Sequence, residues 1–185
     1  MVRFNLQDIA SFVAVLVAVV ALYVGWDQSR IIRNQQHADV YPVVEIKSQF
    51  VTKTLDDGKQ YRMLQLDLLN AGVGPAFIES AKWKIGDNTI KHTADLANAL
   101  PQNLSPAAEY QGSVSGFVLA PGNSENVWQV AFPLDEQSKA LTDVFMQDFW
   151  AMDLEVCYCS LYERCWVSDY NAATPRPREV AACKG

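Results

Sequence analysis

Between Asp8 and Asp27 the chain carries no charge: IASFVAVLVAVVALYVGW (9–26) is an uninterrupted uncharged run. It approaches the roughly 20 helical residues needed to cross about 30 Å of hydrocarbon. The pattern predicts a short amino-terminal segment (1–8) and a transmembrane helix (9–26), with Tyr23 and Trp26 at its end, where amphipathic rings favour the headgroup layer. The apolar stretch is longer than the roughly 7 to 15 residues of a signal peptide, and no A-x-A-like cleavage site follows, so the anchor is expected to stay uncleaved. Within it Ser11, Ala14, Ala18, Ala21 and Gly25 recur at spacings of three and four. One stripe of the helix is therefore small, a pattern that lets helix backbones approach closely in lipid. Residues 27–41 continue without Gly or Pro and predict a juxtamembrane helical stalk, ended before Pro42, whose ring disfavours helix in the preceding residue.

From residue 42 the period changes from helix to strand. VVEIKSQFVT (43–52) and QYRMLQLDLL (60–69) flank an Asp-Gly turn and predict a hairpin. NAGVGPA (70–76) interrupts the ladder, and FIESAKWKI (77–85) resumes it, with Phe77, Glu79 and Ala81 expected on one face and Ile78, Ser80 and Lys82 on the other. Residues 93–112 predict a short helix and loop outside the sheet. GSVSGFVLA (112–120), a Pro121-Gly122 turn and ENVWQVAF (125–132) predict a second hairpin. Asp135 is placed to cap a helix over 136–148 with Leu141, Val144, Phe145 and Phe149 on one face. AMDLEVCYC and CWVSDY predict a last hairpin, and residues 171–185 an irregular tail.

Short strands joined by turns imply a mainly β fold: an antiparallel β-sandwich over 42–185 with one or two added helices. A strand ending in N-x-G-x-G-P-A (70–76) and a later L-x-P-G turn (119–122) resemble the immunoglobulin-like sandwiches of bacterial envelope proteins. That resemblance implies an immunoglobulin-like fold and assigns no activity.

With 185 residues, half of them hydrophobic, the chain holds one ordinary domain besides its anchor. A formal charge of -6 without any Lys/Arg run argues against nucleic acid, since phosphate binding needs clustered cations, and no nucleic-acid partner is expected. The two histidines, His37 and His92, lie far apart, and no P-loop, dinucleotide fingerprint, G-x-S-x-G or H-E-x-x-H occurs. Neither cofactor nor catalytic residue is expected. Asp56/Asp57 and Asp153/Glu155 read as solvated turn and strand flanks.

Four cysteines remain: Cys157, Cys159, Cys165 and Cys183. A five-residue loop over 160–164 sets Cys159 opposite Cys165 and places Cys157 on the same face, free to meet Cys183 from the tail. C-x-C on a strand lacks the turn of a C-x-x-C zinc knuckle, and no base or helix start lies near to activate a thiol. Two disulfides are therefore expected, which places the domain in an oxidising compartment. Arg3 and the amino terminus before the span are nearly balanced by Arg30 and Arg33 after it, so charge leaves the orientation open. Tyr162 and Arg164, at the tip of the last hairpin, have the composition of a partner contact.

The sequence thus predicts a non-enzymatic, single-pass protein of a bacterial-type inner membrane, its domain periplasmic. Its expected partners are the lipid bilayer and another membrane protein or a second copy of itself, for which it is an accessory or scaffold subunit. Two alternatives are an envelope metal-binding or thiol-redox protein using the four cysteines, and a regulatory domain facing the cytoplasm.

Overall fold

In a computed structural model, which describes residues 6–183 except 102 and 175, the chain divides between Asp39 and Val40 into two compact units. The first holds helix α1 (Leu6–Asp39). No Pro lies inside it and the single glycine, Gly25, has open space around it. Its segment Ser11–Ile32, 22 residues, is long and apolar enough to cross a membrane and has none of its residues buried. Phe12, Leu16, Leu22 and Trp26 are all at least half exposed, a distribution that suits a helix whose surroundings are apolar.

The second unit is mainly β, with two antiparallel sheets. Strands β1 (Val44–Thr54) and β2 (Gln60–Asn70) form the expected hairpin, in register from Val44↔Asn70 to Thr54↔Gln60. Its turn is closed by the Gly58 N–H donating to the Leu55 carbonyl, with Gly58 at φ 75°. The other strands are β3 (Ala76–Ile85), β4 (Asn88–Ile90), β5 (Ala108–Gln111), β6 (Phe117–Leu119), β7 (Ser124–Pro133), β8 (Asp153–Cys159), β9 (Cys165–Asp169) and β10 (Arg178–Val180). One sheet has the order β1-β2-β7-β5. The other has the order β10-β9-β8-β3-β4, with β6 also on β3. Helix α2 (Leu96–Ala99) follows a 3-10 turn at Thr93–Asp95, and helix α3 (Glu136–Trp150) follows β7.

The inner faces of both sheets share one core. Leu64, Leu66, Leu68, Val130 and Phe132 come from the first sheet; Ile78, Trp83, Leu154, Val156 and Tyr158 come from the second. Asp135 caps α3, its carboxylate accepting from the Ser138 N–H at 2.7 Å. The helix then lays Phe145 and Phe149 against Trp128, with ring centroids 6.4 and 6.0 Å away. Val144, expected on that face, is 59% exposed; Thr142 and Met146 are buried instead. At 3.6 residues per turn, a face through 142, 145, 146 and 149 leaves 144 on the far side.

Three further expectations are corrected. The segments 112–120 and 125–132 do not pair: β6 joins β3 and β7 joins β2, so the Pro121-Gly122 turn carries the chain from one sheet to the other. That turn is anchored on the end of β2, where the Gly122 N–H donates to the Asn70 carbonyl and the Asn70 N–H to the Asn123 carbonyl. Next, a bulge between Ile78 and Ser80 breaks the alternation of β3, so Ile78 and Trp83 face the same core and the faces expected for 77–82 do not hold. Finally, β5 and β10 arise in stretches expected to be loop and irregular tail.

Candidate functional site

The cysteine hairpin is the chemically distinctive part of the second unit. Strand β8 alternates Leu154, Val156 and Tyr158 into the core, which sends Cys157 and Cys159 to the opposite face. The loop 160–164 closes with the Ser160 N–H donating to the Arg164 carbonyl at 2.8 Å, and Glu163 adopts φ 58°. Its length fixes the register Cys159↔Cys165, Tyr158↔Trp166 and Cys157↔Val167. Cys159 is bonded to Cys165 across the hairpin with Cα atoms 4.0 Å apart, the close spacing of a non-hydrogen-bonded antiparallel pair. Cys157 is bonded to Cys183, Cα atoms 5.7 Å apart, and no free cysteine remains.

The second bond pins the tail. After β10 pairs with β9 (Arg178↔Val167, Val180↔Cys165), residues 181–183 turn back over the outer face to reach Cys157. The two disulfides end up in contact, with Cys159 Sγ 3.8 Å from Cys183 Sγ. The sulfurs of Cys159, Cys165 and Cys183 all lie within 4.8 Å of one another.

Around this cluster the polar groups are paired among themselves. Arg164, expected as a partner contact, stacks its guanidinium 5.7 Å over the Trp166 ring and donates to Glu179 Oε1 at 2.7 and 3.1 Å. It thereby ties the hairpin tip to the tail. Arg178 lies 3.5 Å from Glu155. Tyr162 is 45% exposed at the tip beside Leu161, which is 59% exposed. On the core side Trp166 meets Tyr41 edge-on at 5.0 Å and lies tilted against Tyr158 at 6.2 Å. Burial raises the Tyr41 and Tyr158 hydroxyls above the ordinary tyrosine value; Glu179 adds to the shift at Tyr41. Neither the packing of Tyr41 from the start of the unit on Trp166 of β9 nor the pairing of Glu179 with Arg164, which needs the tail to fold back on the hairpin, carries a sequence signal.

Two surface depressions flank the sulfurs. One, of about 430 Å³, is lined by Lys82, Glu155, Cys157, Arg178 and Val180 among others. The second, of about 240 Å³, is lined by Phe77, Glu79, Cys159, Ser160, Leu161 and Glu163. Asp56 and Asp57 stay at the β1–β2 turn, where Asp57 accepts from the Tyr61 hydroxyl (2.6 Å) and the Lys59 N–H (3.0 Å). These bonds hold its carboxyl below the ordinary range. Both bonds serve the turn. The small-residue stripe Ser11, Ala14, Ala18, Ala21 and Gly25 lies on α1, each residue exposed.

No family model, curated protein or solved structure matches this chain.

Proposed function

We propose that the chain is a membrane-anchored accessory subunit. Helix α1 spans a bacterial inner membrane and packs against the helix of a partner membrane protein through Ser11, Ala14, Ala18, Ala21 and Gly25. The β unit, read as an immunoglobulin-like sandwich, stands on the periplasmic side and binds the same complex, with Leu161 and Tyr162 at the tip of its last hairpin as the contact. The observation that carries this reading is the conjunction of a 22-residue apolar span with two disulfides. The span supports an anchor. The disulfides support an oxidising compartment, since a reducing cytosol keeps such thiols free. Small side chains on one exposed stripe support helix association, because close backbone approach is what holds helices together in lipid.

Two measurements on protein from the native host test the proposal. Intact mass without reductant is expected to be four hydrogens below the fully reduced value, and extraction in mild detergent is expected to bring down a stoichiometric membrane partner or a second copy. Four free thiols would overturn the compartment. A lone monomer under every mild detergent would overturn the accessory role.

A further inference from the structure

Cys157 and Cys159 stand two residues apart on one face of β8, and the tail, returning over that face to bond Cys157, rests the Cys183 sulfur 3.8 Å from that of Cys159. Thiol–disulfide exchange needs this arrangement, a sulfur in contact with one atom of a neighbouring disulfide. The cluster is also graded in exposure. Cys165 is buried at 5% and Cys157, at 9%, reaches the 430 Å³ depression, whereas Cys159 and Cys183 are partly exposed and Cys159 lines the 240 Å³ depression beside Leu161.

We propose that the four cysteines form a thiol–disulfide exchange site that accepts two electrons from a dithiol and then passes the remaining disulfide from Cys157–Cys183 to Cys159–Cys183. A thiolate of the dithiol attacks Cys159 Sγ. The Cys159–Cys165 bond breaks, and its electron pair leaves on Cys165, which takes up a proton. The second thiol of the reagent loses its proton and attacks the reagent's own sulfur in the mixed disulfide, closing the oxidised dithiol and releasing Cys159 as a thiolate. That thiolate attacks Cys183 Sγ. A Cys159–Cys183 bond forms, the Cys157–Cys183 bond breaks, and Cys157 leaves as the thiolate. The first stage oxidises the dithiol and reduces one disulfide; the second is redox-neutral. Its product keeps the tail tethered, moved two residues along β8, with Cys157 and Cys165 free. The inference rests on the oxidised state proposed above.

The test uses the oxidised full-length chain in detergent. Dithiothreitol is added to limiting amounts, the reaction is stopped with acid, free thiols are alkylated, and the digest is mapped. At two electrons per chain the predominant form is expected to carry label on Cys157 and Cys165, with a Cys159–Cys183 crosslinked peptide. In Cys165→Ser the same peptide is expected without any reductant, because Cys159 is then a thiol from the start. Label confined to one of the two original pairs, together with Cys165→Ser labelled at Cys159 alone, would overturn the exchange while leaving the oxidising compartment untouched. A chain isolated with all four thiols free would overturn the compartment and the exchange with it.

Discussion

Asn70 and Gly74 close a loop over the residues by which the chain enters the β unit. The Asn70 side chain, with no exposed surface, donates to the Gly74 carbonyl at 2.8 Å and to the Leu119 carbonyl at 2.9 Å, and its oxygen accepts from the Gly72 N–H at 3.0 Å. Residue 74 runs so close to the chain at Val40 that a Cβ there would stand 2.1 Å from the Val40 carbonyl oxygen. The Val73 and Gly74 N–H groups both donate to the Tyr41 carbonyl. The glycines of N-x-G-x-G-P thus serve backbone contact.

Gly74→Ala must push two backbones apart, and overpacking of this kind costs about 1–3 kcal/mol. Asn70→Ala leaves buried carbonyls and an N–H without partners, at about 1–3 kcal/mol each, so about 3 kcal/mol or more is expected. Urea unfolding followed by tryptophan fluorescence checks both. Equal midpoints for wild type and Asn70→Ala would remove the loop from any structural role.

The same residue marks the boundary of what the sequence discloses. Helix α1, the β1–β2 hairpin and the β8–β9 register are legible because each follows from a local period or from counting residues across a loop. The parting of β6 from β7 is not, since Pro121-Gly122 has the same local preferences whether the flanking strands pair or separate. What separates them is the bonding of that turn to Asn70, about fifty residues earlier in the chain. Strand β5, whose four residues are all exposed, buries no apolar face that periodicity could register. At the site, the cysteine geometry is readable from the hairpin, but the pairing of Arg164 with Glu179 is not, because it needs the tail to return as β10.

The two disulfides are expected to differ in what they contribute. Cys157–Cys183 spans 26 residues and Cys159–Cys165 spans 6. Loop-closure entropy then assigns about 3.5 kcal/mol to the first and about 2.2 kcal/mol to the second. Replacing each pair by serines and comparing urea midpoints under non-reducing conditions checks the order. A larger loss from the short loop would show that native contacts at the hairpin tip, and not the unfolded chain, set the balance.

Tyr158 contributes to the loss of stability expected at alkaline pH. Its ring lies wholly in the core, with its hydroxyl 3.4 Å from the Ser168 hydroxyl, and burial raises its pKa above the ordinary value of 10.0. A group whose protonated form is favoured by folding lends stability that is complete below its unfolded pKa and is lost as pH rises through the folded one. Stability is therefore expected to hold to about pH 10 and fall above it. Tyr158→Phe should flatten that fall. Urea midpoints at a series of alkaline pH values check it; an identical slope in the variant would exclude Tyr158 as its source.

Two buried indoles differ in whether the ring N–H has an acceptor, and substitutions at the two places test that difference. Trp128 donates its Nε1–H to Glu109 at 2.9 Å, an acceptor supplied by edge strand β5, whereas the buried Nε1 of Trp83 finds no acceptor among the described residues. Replacing Glu109 by Ala leaves the Trp128 N–H unpaired in the core, at about 1–3 kcal/mol, while Glu109→Gln keeps an acceptor and should recover most of the loss. Trp83→Phe removes an N–H that gains nothing from folding, so the loss of ring volume is partly offset by the relief of an unpaired donor. Thermal unfolding of the three variants separates the cases. Glu109→Ala and Glu109→Gln with the same midpoint would mean that β5 is held by its backbone ladder alone, and that the indole bond records its position without fixing it.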